Sequence, residues 1–382
     1  MHVQAEIVER IADVPAESWD ALDPSGNPFL RHAFLEALES SGCVGGESGW
    51  LPRHLVLRDA AGRLLGAVPQ YLKLHSWGEF VFDWSWAQSY ARAGLDYYPK
   101  LLSAVPFTPV TGPRLLVAPA AGPDTRRVLA RVLVESARQA GVSGVHVNFT
   151  TGEDQPALEQ AGFMRRHDCR FQWRNRGYGS FDDFLDEFRS EKRKKTRRER
   201  RRVEEAGVTF RTLRGEDIDE SLWSTIFGFS ERTFLRHGNA HYLSAGFLGR
   251  VSSRMPQSIV VKLAERQGTP IAAAIFFEGG GQLYGRYWGA DEHVDCLHFE
   301  ACYYQGIEYC IERGIEAFDP GTQGEHKLAR GFEPTLTCSA HWLAHPGFAT
   351  AVDHYLERER AAIDDYVASA VAHLPFQRGP AP

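Results

Sequence analysis

The sequence predicts an α/β protein built from two tandem copies of one unit, each a mixed sheet flanked by helices on both faces. Three observations carry that prediction. The chain has 382 residues, more than one domain of common size holds. A shift of 169 places Phe149 on Phe318, Gly152 on Gly321, Gly162 on Gly331, Phe163 on Phe332, Cys169 on Cys338 and Trp173 on Trp342, so both halves contain G-F-x5-C-x3-W. The order of hydrophobic patterns is also shared: strand, helices, hairpin, strand, helix, strand, turn, strand.

In the first copy, residues 3–9 alternate polar and apolar, as a strand with one buried face does, and 29–40 repeat with helical period. A hairpin is predicted over 54–57 and 64–74, turning at Ala60-Ala61-Gly62. A strand at 115–117, a helix at 125–140, a strand at 145–149 and a last strand ending at Trp173 complete the copy. The second copy opens with a strand at 208–213 and helices at 217–235 and 242–251. Its hairpin joins 259–265 to 271–277 through Gln267-Gly268-Thr269-Pro270. Strand 283–288, helix 297–313 and strands 316–318 and 335–342 follow. These patterns divide the chain into a first domain at 1–175 with an aromatic-rich insert, a linker and basic helix at 176–207, a second domain at 208–350, and a C-terminal helix and tail at 351–382.

The net charge of −6 excludes a protein that coats nucleic acid over its whole surface, so any phosphate-binding role must be local. Six cysteines (Cys43, Cys169, Cys296, Cys302, Cys310 and Cys338) show no C-x-x-C pair and no disulfide framework, which reads as reduced thiols. With no secretory pattern and no long apolar span, a cytoplasmic protein is expected.

The repeat supplies an internal control for function. Where the first copy has Pro156-Ala157-Leu158, the second has Glu325-His326-Lys327, preceded by Asp319-Pro320-Gly321-Thr322-Gln323-Gly324. Scaffold needs are alike in both copies, so the added polarity points to chemistry. Group transfer that builds charge on an oxygen needs a cation near that oxygen and a base for the attacking group. Lys327 can supply the first, and His326, Glu325, Glu300 and His298 are candidates for the second, with Gln323 and Arg330 as nearby substrate ligands. Glu300 is also explained by its place at a helix start, where the dipole favours a carboxylate. His298 and Cys302 lie four apart on one helical face, a spacing that matches no established metal site, so no metal is expected. Cys169 and Cys338 recur beside Trp173 and Trp342 and read as shared core positions.

Between His75 and Thr108 the first copy is dense in aromatic residues. Asp83, Trp86, Tyr97, Tyr98, Lys100 and Arg114, in or beside this stretch, are expected to line a substrate pocket or to belong to a lid packed on the core. Residues 189–202 hold ten Lys or Arg against two Glu, and upstream Phe181, Phe184, Leu185 and Phe188 form a helical stripe that should dock on a core. Arg193, Lys194, Arg197, Arg198 and Arg201 are the candidate anion ligands, suited to tRNA, a nucleotide-linked precursor or acidic lipid.

The stretches HSWGEFVFDWSWAQSY (75–90), YYPKLLSAVPFTPVTGPRLL (97–116) and LHFEACYYQGIEYCIERGIEAFDPGTQGEHKLARG (297–331) resemble the Fem-like (FemAB-type) N-acyltransferases, peptidoglycan-biosynthesis-like proteins with tandem GNAT-type folds. The resemblance runs from Asn27 to Trp342. It implies N-acyl or aminoacyl transfer to a small-molecule or peptide amine. It also implies a role in carbonyl stabilisation for Lys327, although a Phe precedes that lysine in Fem-type transferases and His326 stands here. No tightly bound cofactor is implied; the acyl donor, aminoacyl-tRNA or acyl-CoA, would be a co-substrate. Residues 117–125 contain Pro123 and Asp124, and 290–295 is acidic, so neither stretch has the Gly-rich turn that CoA-dependent relatives use. Tandem units without catalysis, binding a nucleotide sugar, peptide or lipid precursor, are the alternative expectation, and a peripheral membrane contact is a further one.

Overall fold

The computed structural model describes residues 3–322 and 324–377. The first repeat runs β1 (Val3–Val8), α1 (Ala16–Asp20), α2 (His32–Ser40), β2 (Trp50–Pro52), β3 (His54–Asp59), β4 (Leu64–Val68), β5 (Gln70–Lys73), α3 (Trp84–Arg92), β6 (Lys100–Ser103), β7 (Leu116–Val117), α4 (Thr125–Ala140), β8 (Gly144–Thr150), α5 (Gln155–Gln160) and β9 (Met164–Arg174). The chain continues through α6 (Phe181–Asp186), α7 (Ser190–Glu205), β10 (Val208–Arg214), α8 (Glu220–Arg236), α9 (Ala245–Arg254), β11 (Ile259–Arg266), β12 (Thr269–Gly279) and β13 (Gln282–Ala290). It closes with α10 (Leu297–Phe299), α11 (Gln305–Arg313), β14 (Ala317–Asp319), β15 (Glu333–Leu343) and α12 (Pro346–Val371). The repeat survives in this register: β9 and β15 are both eleven residues long and begin and end at positions 169 apart.

The compact units are not contiguous in sequence, whereas the repeat alone puts the divide near 175. Unit 1 comprises Met1–Asp168 with Leu336–Asp365, and unit 2 comprises Cys169–Thr335 with Tyr366–Pro382. The cause lies in the two long closing strands. The end of β9 pairs with β14 in unit 2, Phe318 opposite Trp173, while the end of β15 pairs with β8 in unit 1, Trp342 opposite Val145. Each repeat thus hands its last strand to the unit made mainly by the other.

Unit 1 has a four-stranded sheet in the order β1-β3-β4-β7 and a second row β15-β8-β6-β5-β2, in which β6 and β8 are parallel. The sequence suggests one strand over 64–74, but Pro69 lacks an N–H and ends the ladder. β4 therefore pairs with β3, and β5 turns away to pair with β2 and β6. α4 matches its expected bounds because Leu129, Ala130, Leu133, Val134 and Ala137 recur at helical spacing and Gly141, at φ +64, ends it left-handed. That stripe packs with Leu55, Val68, Val145, Val147 and Phe163 into the unit's core.

Unit 2 has the order β10-β11-β12-β13-β14-β9, antiparallel except for β13 beside β14. Phe181, Phe184, Leu185 and Phe188 bury as the stripe predicts, against Trp173, Tyr304, Ile307, Phe318 and Phe332. The single helix expected over 297–313 is interrupted: α10 and α11 are joined by a π-helical turn, Glu300–Tyr304. Such insertions cost regular hydrogen bonding and concentrate at functional positions.

Candidate active site on the late loop of unit 2

β14 ends at Asp319, whose carboxylate accepts from Gly321 N–H at 2.8 Å and turns the chain into the late loop. Gly321, Gly324 and Gly331 have φ of +92°, +108° and +85°, a region that favours glycine. A Cβ on Gly331 would stand 2.7 Å from Phe184, so that glycine is also needed for close approach. Between them, Glu325–Arg330 forms a 3₁₀ turn.

Lys327 is 1% exposed and donates from Nζ to the carbonyls of Gly321 at 2.7 Å and Thr322 at 3.0 Å. Burial pulls its ammonium down to about 8, opposed in part by Asp319. The residue at the matching position of the first repeat, Leu158, is fully buried and apolar. His326 is exposed, its Nε2 2.8 Å from the Tyr303 hydroxyl. Partial burial, then Arg330 and Lys327, lower its pKa, so the ring is neutral near neutral pH. Glu325 is exposed and accepts from the Tyr366 hydroxyl. His298 is mostly buried between the Trp288 and Tyr303 rings, and burial lowers it to about 4. Glu300 is 4% exposed and bound to Arg200 at 3.1–3.2 Å and to Gln305 at 2.9 Å, so its carboxylate is already engaged. Gln323 lies outside the described residues.

Arg330 is buried, stacks 3.5 Å over Phe299, and donates to the His326 carbonyl at 2.8 Å. Its other arm meets both oxygens of Glu199 at 3.0 and 2.9 Å. Glu199, which also accepts from the Tyr304 hydroxyl, was hidden in the basic run. The signal was a spacing: Thr196, Glu199 and Val203 are the buried residues of α7, an i, i+3, i+7 stripe. That stripe gives α7 an inward side that its run of Lys and Arg does not announce. Glu199→Gln is expected to lower stability by about 2 kcal/mol, the scale of a charge-assisted hydrogen bond. Denaturant unfolding reads that loss, and an unchanged midpoint would deny the anchor its role.

Of the anion candidates on α7, Arg193 pairs with Asp186 and Arg197 with Asp182, both at the surface. Lys194, Arg198 and Arg201 are exposed and have no acidic partner among the described residues. Arg197, Arg200 and Arg201 line a groove of about 760 Å³ floored by Phe181, Leu185 and Val203.

The first-repeat candidates form a closed interior. Lys100 is 0% exposed, and its Nζ bonds Glu79 at 2.8 Å, Ser76 at 2.9 Å and Asp83. Tyr97 donates to Asp83 at 2.6 Å, and its oxygen lies 3.2 Å from His146 Nε2. Trp86 packs with Tyr90, Tyr97 and Leu356. Arg114 is fully buried and donates to the carbonyls of Val110, Gly112 and Asn148. Where a pocket or a packed lid was expected, Asp83, Tyr97 and Lys100 are tied to one another, Trp86 is packed beside them and Arg114 is bound to backbone carbonyls; only Tyr98, bonded to Ser76, is half-buried. Unit 1 does have a crevice of about 440 Å³ elsewhere, lined by 117–119 and 121–123 with Asp23, Arg126 and Glu153. Among the described residues no group of three or more His, Cys, Asp or Glu is placed to hold a metal, and no helix is long and apolar enough to cross a membrane.

Two units of this layout, mixed sheets packed with helices, define a tandem GNAT-type fold. A family profile described as peptidoglycan biosynthesis/recognition matches residues 10–378, and the chain belongs to that FemAB-like family. Its family and fold are those of acyl and aminoacyl transferases in general. Among solved structures, the chain is similar to the C-terminal domain of a lysylphosphatidylglycerol synthetase from Agrobacterium fabrum: TM-score 0.54, 10% identity, 88% of this chain and 94% of that one. It is similar also to FemX: TM-score 0.52, 12% identity, 89% and 98% covered. A tandem GNAT protein from the clavulanic acid pathway aligns over 90% of this chain and 99% of its own at TM-score 0.46 and 12% identity. No curated protein matches the sequence.

Proposed function

We propose that the protein transfers an acyl or aminoacyl group to an amine, with the late loop of unit 2 as the reaction site. The observation that carries this reading is the buried Lys327 at a position where the first repeat has a buried leucine. Burying an ammonium costs stability that an apolar side chain would not, so a scaffold role alone does not account for it. Lys327 stabilises the oxygen of the carbonyl as it gains charge, and Arg330 holds the turn in place. His326, exposed and neutral, takes the proton from the acceptor ammonium and can pass it through the Tyr303 hydroxyl. The amine nitrogen then bonds the carbonyl carbon and gives up a second proton, the bond from that carbon to the donor's oxygen or sulfur breaks, and the leaving group receives one of the two protons while the other passes to solvent. The family description supports a peptide amine of a peptidoglycan precursor as acceptor. Lys194, Arg198 and Arg201 suit a phosphate-bearing donor, for which aminoacyl-tRNA fits better than acyl-CoA because residues 290–295 are acidic.

The test incubates the purified protein with peptide amines and either aminoacyl-tRNA or acyl-CoA, and follows the acceptor's mass. A mass gain of one acyl or aminoacyl group with one donor class is expected. No gain with either class would leave a binding protein instead.

A further inference from the structure

Among the large apolar side chains left in water, Leu74 is 48% exposed, Trp77 58% and Phe82 59%. All three belong to one short turn of unit 1, and the backbone of that turn is held rigidly. The Trp77 carbonyl accepts from Lys73 Nζ at 3.3 Å and from Trp50 Nε1 at 3.2 Å. The Phe82 carbonyl accepts from Arg166 at 2.8 Å. Gly78 has φ +79, and a Cβ there would meet Phe107 at 2.6 Å, so the turn sits tightly on the unit. These rings are therefore presented by a fixed scaffold, and their exposure is not a matter of a loose loop.

The turn itself exposes no charge; the Arg166 guanidinium that bonds the Phe82 carbonyl is paired with Glu359 at 2.8 Å. Between Leu74 and Ala91 the only carboxylates are Glu79 and Asp83, with no Lys or Arg. Both carboxylates are buried, and both are bound inward to Lys100. His75, partly buried and near Lys73, has its pKa lowered and is uncharged at neutral pH. What faces water is an uncharged turn bearing an indole, a phenyl and an isobutyl group, with Trp84 5.4 Å from Trp77.

We infer that this turn is a docking element for the surface of a phospholipid bilayer, with Leu74, Trp77 and Phe82 entering the boundary between headgroups and acyl chains. Trp and Phe side chains favour that depth, where an amphipathic ring keeps its polar edge wet. A stable protein partner would bury about 800 Å² a side, more than three side chains on one turn offer. Anchoring of this kind scales with apolar area and needs no anionic lipid.

The test is flotation of the full chain with vesicles of phosphatidylcholine alone and with added phosphatidylglycerol, beside the double variant Trp77→Ser, Phe82→Ser. Binding to both vesicle types is expected, with the variant's partition lowered about tenfold or more. The variant should keep the wild-type unfolding midpoint, because the replaced rings are more than half exposed. Absence of wild-type binding would overturn the inference, as would undiminished binding by the variant or binding confined to anionic vesicles. Concentration-dependent self-association lost in the variant, without vesicle binding, would assign the surface to a second copy.

Discussion

Lys327→Met is expected to lower the rate of amide formation about a hundredfold or more, the loss seen when one preorganised donor to a developing oxyanion is removed. Acceptor binding should change little, because the cation acts mainly on charge that appears in the transition state. The fold should tolerate the change, since unit 1 accepts Leu158 at the matching position. The pH profile adds a signature. Burial sets the Lys327 ammonium at about 8, so its charge is present below that pH and lost as pH rises through it. His326 must be neutral, which holds above its lowered pKa. Activity should therefore fall on the alkaline side near pH 8, and Lys327→Arg, whose guanidinium stays charged, should lose that limb while retaining part of the rate. Turnover and kcat/KM against pH check both points. A Lys327→Met protein that folds and turns over at the wild-type rate would remove the late loop from the chemistry.

Lys100→Met should destabilise unit 1 by about 3–5 kcal/mol, because it leaves Glu79 and Asp83 buried without their cation. For a unit of this size that is a fall of roughly 10 °C in unfolding midpoint. In the native protein Lys100 holds Asp83 down at about 2, although burial pushes the other way, while burial lifts Glu79 to about 7. Without Lys100 both carboxylates are pushed upward, so the folded variant binds more protons than the unfolded chain. Its stability must then rise as pH falls from neutral toward 5, which differential scanning calorimetry at two pH values detects. A variant equally stable at both would show that water, not Lys100, neutralises the pair.

The buried place of Lys327 was legible because the repeat provides its own comparison: the shift of 169 sets it on Leu158, which is buried in the first copy. α4 was legible to the residue, since its stripe and Gly141 fix both ends locally. Glu199 was not. A run dominated by Lys and Arg reads as a solvated face, and the inward stripe through Thr196 and Val203 appears only once unit 2 gives it something to pack on. The aromatic segment could be read as a pocket or as a packed lid for a related reason. Trp86, Tyr90 and Tyr97 find Leu343, Val352 and Leu356, partners more than 240 positions away, and no local pattern announces that the segment will close over its own charges. The partners of β9 and β15 were equally out of reach, because period-two alternation states that a strand has a buried face and is silent on which neighbour it joins.

The strand exchange makes the duplication irreversible. A fragment ending after the first repeat lacks the thirty residues, Leu336–Asp365, that complete its own unit, and its closing strand has no β14 to accept it. Neither half can therefore be shed or inherited alone. Whichever copy performs chemistry, the other persists as a folding partner, because each closes the other's unit.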